Sequence, residues 1–227
     1  MTSTFQRARS DEQRAVRRKA ILDTAAAMLA EMPVAQVSLN ELSRRVGLAK
    51  SNVLRYFESR EAVLLELLDA ASRRWLEELA DELAEAEELV GSGPRERGDR
   101  LAAALAASLA ARPVLCDLIS AQAAVLERNV SPKVAAQYKY ASIETVGELV
   151  RLVHAQMPEL AEEDAFRFAA AAVMTTGAVW THAHPTPAML AVYEADPSLA
   201  SWRLDFAEAL RQMFEVFLSG LLARAGS

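Results

Sequence analysis

The chain is short of the residues that cross-link or interrupt a fold. Only one of its 227 residues is a cysteine, Cys116, so no intrachain disulfide can form and a reducing compartment is the simplest setting. Glycine and proline number eight each, which leaves long stretches free of helix breakers. Long apolar runs are missing too. The longest uncharged one, FAAAAVMTTGAVWT at 168–181, falls short of the ~20 residues of a membrane-spanning helix. The opening MTSTFQRARSDEQRAVRRK lacks the apolar stretch of a signal peptide. A cytoplasmic chain with no membrane partner is expected.

Catalytic signatures are equally scarce. There is no glycine-rich phosphate loop, no Gly-x-Ser-x-Gly and no His-Glu-x-x-His. The carboxylate pairs Glu77/Glu78, Glu87/Glu88 and Glu162/Glu163 read as solvated helix surface. His182 and His184 stand two apart in WTHAHPTP, but a helix end does not turn i and i+2 to one face, and no third ligand is near. No enzymatic activity, no cofactor and no metal are expected.

What the chain has in quantity is alanine and leucine, within a hydrophobic share of 52%. Both cost little in a helix, and the apolar periodicity is helical throughout. An all-α fold is expected. A polar, basic arm covers about 1–10, and helices follow at 12–31, from Ser38 to near Gly47, at about 50–56, and from Ser59 through Leu79. GSGPRERGD at 91–99 reads as a linker or turn. Further helices are expected at 100–111, 114–129, 132–156, 162–182 and 200–223.

Charge is split unevenly. Residues 1–60 carry 11 Lys and Arg against 6 Asp and Glu, whereas the remainder carries 14 against 25. The N-terminal quarter of an acidic protein is therefore the part suited to a polyanion. Within it, SLNELSRRVGLAKSNVLRYF at 38–57 sets Arg44, Arg45, Lys50 and Arg55 around a single glycine. Ser38-Leu39-Asn40-Glu41 has the capping-box spacing that opens a helix. Gly47 supplies a turn residue tolerant of positive φ. Leu39, Leu42, Val46, Leu48, Val53 and Phe57 can lock two short helices onto a third. Lys50, Ser51, Asn52, Arg55 and Tyr56 then remain outward on the second helix, where lysine and arginine suit phosphates and asparagine or arginine suits base edges. With Ser38, Leu39, Arg44 and Arg60 alongside, these form the candidate DNA-binding set. Two amphipathic helices around a glycine also occur in helical proteins that bind no DNA, so the motif alone leaves that alternative open.

The run AAAMLAE followed by VSLNELSRRVGLAKSNVLRYFESREAVLLELL, within residues 14–70, resembles the DNA-binding region of TetR-family transcriptional regulators. The resemblance implies an all-helical dimer. An N-terminal three-helix DNA-binding domain with a helix-turn-helix (1–58) would precede a C-terminal helical bundle for ligand binding and dimerisation (59–227), and the last two helices would form the dimer contact. It places the recognition helix at about 49–55. Ala49 departs from the family's frequent serine cap, Leu54 from a frequent tyrosine, and Pro33 stands near a common glycine.

Beyond residue 90 the residues themselves must speak. Leu204, Ala207, Leu210, Phe214, Phe217, Leu218 and Leu221 mark an inter-subunit helix, with Ala169, Ala170, Val173, Gly177 and Ala178 on its partner, although both stripes equally suit a monomer core. Trp75, Cys116, Gln122, Tyr140, Met174 and Trp180 are candidates to line an apolar ligand cavity, and each also reads as ordinary core packing. The function expected is a DNA-binding transcriptional regulator, a repressor released from its operator by a largely apolar small molecule and acting as a homodimer on double-stranded DNA. The alternative is a helical ligand-binding or interaction module that has lost specific DNA recognition.

Overall fold

The structure is a computed structural model, and it describes residues 2–85 and 93–225. Among the described residues there are eleven α-helices and no strand. Packing divides the chain into two compact units. One comprises Met1–Leu68 with Ala121–Tyr138, the other Asp69–Ser120 with Lys139–Ser227.

The first unit is built on α1 (Thr2–Glu31), α2 (Leu39–Val46), α3 (Lys50–Val53) and the first part of α4 (Arg60–Glu85). Helix α1 runs through the segment expected to be a free arm, because nothing between Thr2 and Glu31 breaks it. Its predicted apolar face is the buried one: Ile21, Ala25, Met28 and Leu29 are core residues, as are Leu42, Val53, Phe57, Val63 and Leu64. Segment 121–138 joins this unit through one π turn at Gln122–Leu126 and the start of α7 (Pro132–Gln156). The Glu58 carboxylate accepts from the Ser131 amide at 2.5 Å and from its hydroxyl at 2.7 Å. Those bonds hold the Glu58 carboxyl below the usual carboxylate range, the backbone one most of all.

The second unit holds the rest of α4 and α7 with α5 (Pro94–Ala110), α6 (Pro113–Ala121, its last residue in the first unit), α8 (Glu162–Ala183), α9 (Pro187–Ala195), α10 (Pro197–Ala200) and α11 (Phe206–Ala225). Residues 94–99, expected in a linker, open α5: Pro94 takes the first helical position, where its missing N–H costs nothing. Gly93 precedes it as the N-cap residue, and the remainder of the expected linker, 91–92, lies outside the described residues. Helix α11 packs along α5 and α8. Phe168 meets Phe214 edge-on at 5.7 Å and Trp180 meets Phe206 at 5.1 Å, so α8 and α11 run antiparallel. Among the described residues no single helix is long and apolar enough to cross a membrane.

Candidate nucleic-acid interface

The turn between α2 and α3 follows from local chemistry. Ser38 caps α2 by accepting from the Glu41 amide at 3.2 Å. The return arm of the capping box is replaced, because the Glu41 carboxylate is taken by Arg44 (2.6 and 2.9 Å) and Arg45 (2.9 Å). These guanidiniums, Arg44 foremost, lower its pKa to about 2. At the other end Gly47 adopts φ 72°, ψ 29°. Its amide reaches the Arg44 carbonyl at 3.2 Å and the Leu48 amide reaches the Ser43 carbonyl at 3.0 Å, the paired bonds of a Schellman stop. Ser43 is buried, its hydroxyl returned to the Leu39 carbonyl at 2.6 Å.

Helix α3 is only one turn long, shorter than the expected 50–56. Ala49 offers no side-chain cap, and past Val53 the amides of Arg55 and Tyr56 switch to carbonyls three residues back, at 3.2 and 2.9 Å. Val53 and Phe57 are buried, which turns Lys50, Ser51, Asn52 and Arg55 to solvent. None of these four side chains has a partner among the described residues, so their donors are free for a ligand. Leu54 is exposed beside them.

The end of this segment is held by a residue that sequence reasoning missed. Arg18 of α1 lies over the Phe57 ring at 4.2 Å, donates to the Tyr56 carbonyl at 3.0 Å and pairs with Glu66 of α4. Its signal was present only as one more basic residue in RAVRRK. The nominated residues divide accordingly. Leu39 and Tyr56 are half-buried and Ser38 and Arg44 exposed. Arg60 donates inward to the Val37 carbonyl at 2.8 Å and contacts Glu61 at 3.1 Å, so its guanidinium positions the entry to α2.

The six candidate ligand-lining residues are not brought together. Trp75 lines a small apolar cavity of about 10 Å³ with Leu105, Leu109, Ile119, Leu149 and Phe214, among others, while its indole N–H donates to Ser108 at 3.1 Å. Met174 (69% exposed) and Tyr140 (72%) stand on the surface, since the helical turn that points Val173 inward points Met174 out. Cys116 is buried elsewhere, 3.3 Å from the Leu109 carbonyl, and burial pushes its thiol up to about 12. Trp180 stacks on His184 at 3.7 Å, and Gln122, in the first unit, donates to Glu127 at 2.9 Å. The roomier space is polar: an open cleft of about 620 Å³ between α4 and α7, lined by Arg73, Glu77, Asp81, Glu144, Glu148 and Arg151.

The expected dimer stripe also divides. Leu210, Phe214 and Leu218 of α11 and Ala169 of α8 are buried in their own unit. Gly177 faces α6, where a β-carbon would come within 3.3 Å of Ser120 Cα. What α8 and α11 turn outward is Phe166, Met174, Met213 and Val216.

Known proteins agree with this geometry. Residues 21–67 match the family model of bacterial regulatory proteins of the tetR family, and residues 69–225 match the tetracyclin repressor-like C-terminal domain. Over 53 residues the chain is 43% identical to the HTH-type transcriptional regulator EthR of Mycobacterium tuberculosis, a match spanning 23% of this chain and 24% of that relative's length. In fold it is similar to a TetR transcriptional regulator from Rhodococcus sp. RHA1 (TM-score 0.55, 14% identity, 94% of this chain and 98% of that one). It is likewise similar to FadR from Bacillus subtilis in complex with stearoyl-CoA (TM-score 0.54, 13% identity, 89% and 98%). With helix-turn-helix head and helical C-terminal domain both matched in sequence, the chain belongs to the TetR family of transcriptional regulators.

Proposed function

We propose that the protein is a repressor that binds operator DNA as a homodimer and is released by a largely apolar small molecule. One observation carries the DNA half: Lys50, Ser51, Asn52 and Arg55 stand exposed and unpartnered on a segment braced by Gly47 on one side and Arg18 on the other. Lys50 and Arg55 would meet phosphates or a guanine edge, Asn52 an adenine edge, and the exposed Leu54 a thymine methyl. Ser38 and Arg44 at the ends of α2 would contact the backbone, with Leu39 and Tyr56 packing beside it and Arg60 acting as a brace. The outward apolar side chains of α8 and α11 support pairing of two chains, which a two-half-site operator requires.

The effector half rests on the apolar cavity around Trp75 and Phe214. At about 10 Å³ it holds no more than a water, against the ~300 Å³ or more of a small-molecule site. An apolar effector would therefore select an expanded conformation, and its preference for that state would set how far DNA affinity falls.

The test is a fluorescence-anisotropy titration of the full chain with its own upstream DNA. The Lys50→Ala/Arg55→Ala double variant is expected to bind about tenfold more weakly or worse, with a shallower salt dependence. Equal binding by wild type and variant would remove the DNA reading and leave the interaction-module alternative.

A further inference from the structure

The open cleft between α4 and α7 lies on a different face of both helices from the apolar cavity. Trp75 and Leu149 line the cavity, their neighbours Leu76 and Glu148 line the cleft, and no residue lines both. At about 620 Å³ the cleft falls within the ~300–1,000 Å³ of small-molecule sites. Four carboxylates and two guanidiniums border it, which leaves a surplus of two negative charges. The guanidiniums are already engaged. Arg73 donates to Asp69 at 3.1 and 3.2 Å and to Glu144 at 3.1 Å, and Arg151 pairs with Glu148. Glu77 and Asp81, one turn apart on α4, have no partner among the described residues, so two like charges stand together uncompensated. A second sign lies beside them. Thr145 also lines the cleft, and its buried hydroxyl has no hydrogen-bond partner among the described residues. Helical threonines elsewhere return theirs to the carbonyl four residues back, Thr176 at 2.8 Å and Thr181 at 3.0 Å. An unsatisfied buried hydroxyl is costly, and a ligand that reaches it recovers that cost.

We infer that this cleft binds a linear aliphatic diamine in its doubly protonated form, a ligand class distinct from the apolar effector and independent of that reading. Charge argues for it. Two ammonium groups match the two unpaired carboxylates, and each offers three donors that carboxylates and the Thr145 hydroxyl can accept. Shape argues the same way. Side chains one helical turn apart stand ~6 Å from each other, a distance that a chain of about four methylenes spans. Leu76 and Ala80, each next to one of the carboxylates, give those methylenes an apolar floor. A compact divalent metal ion is disfavoured, because it needs several oxygen ligands at once and the described residues hold no group of Asp, Glu, His or Cys able to supply them. An anion would meet surplus negative charge with both guanidiniums occupied.

Isothermal titration calorimetry of the full chain with butane-1,4-diamine at low salt tests the site. Saturable binding of a single diamine per chain is expected. Butylamine, which keeps the carbon chain and loses one charge, is expected to bind about tenfold more weakly or worse. The Glu77→Gln/Asp81→Asn variant changes only exposed side chains, and its circular dichroism should match wild type. Its affinity for the diamine is expected to fall about tenfold or more. No saturable heat from wild type, or equal binding by wild type and variant, would overturn the site. So would butylamine binding as tightly as the diamine, or magnesium chloride displacing the diamine at equal concentration, because either result is that of a diffuse negative field.

Discussion

Gly47 holds φ 72° in open space, with no atom within 4 Å of where a β-carbon would sit. Substitution there meets no clash, so its cost is that of the left-handed backbone alone, about 1–2 kcal/mol. Gly47→Ala should lower the unfolding free energy by that amount in urea titration, with its largest functional effect on DNA affinity. Glu41 makes a second prediction at this scale. Its folded pKa of about 2 lies below the ordinary 4.5, so its contribution to stability is complete above about pH 4.5 and is lost as pH falls through about 2. The stability difference between wild type and Glu41→Gln should therefore be constant near neutrality and vanish across that acid window, as read by urea titration at successive pH values. Both residues were legible in the sequence, Gly47 from its place between two amphipathic patterns and Glu41 from its spacing to Ser38. What was not legible was Glu41's choice of partner. Two arginines within one helical turn, at positions 44 and 45, outcompeted the backbone amide of Ser38, because a charge-assisted pair is stronger than a bond to a neutral amide.

At the scale of elements, a recognition segment one turn long cannot stand by its own hydrogen bonds. It is shaped by what it packs on, namely Val53 and Phe57 below and Arg18 at its end. Arg18→Met would keep apolar cover over Phe57 while removing the donor to Tyr56 and the ion pair to Glu66. Because Arg18 is partly solvated, the global stability loss should be small, about 1 kcal/mol. Amide exchange at 54–57 should quicken, and DNA affinity should drop by more than the stability change explains. If exchange at 54–57 matches wild type, the clamp has no such role. Helix existence was read well from periodicity, as with α7, expected at 132–156 and found at Pro132–Gln156. Three missed helix starts share a cause, separate from the extended α1 and the short α3. Pro94, Pro187 and Pro197 read as punctuation, yet each sits in the first turn of a helix, where a missing N–H is harmless. Proline marks a boundary without saying on which side the helix lies.

For the whole molecule, the proposed release by an effector would require the C-terminal domain to have a second arrangement, and on that proposal the cavity lined by Trp75 and Phe214 is where room would appear. Phe214→Ala would enlarge it at a cost of about 3–5 kcal/mol. Part of that loss should be recovered in thermal denaturation by a small apolar ligand such as benzene, which fills a dry cavity without needing polar contacts. No recovery would mean that the site collapses rather than opens.

The sequence by itself determined the helical class, the turn at Gly47, the basic N-terminal quarter and the outward placing of Lys50, Ser51, Asn52 and Arg55, though not of Tyr56, which is half-buried. Each of these follows from neighbours within a turn or two of chain, through caps, backbone conformation and charge. Tertiary structure alone decided which apolar stripe is core and which is left exposed. Leu210, Phe214 and Leu218 lie inward, Met213 and Val216 outward, and Gly177 is spent on α6. An alanine-rich helix is apolar around most of its circumference, so its periodicity cannot say which neighbour covers which side. Only long-range packing assigns the faces, and with them the cavity and the apolar side chains left at the surface.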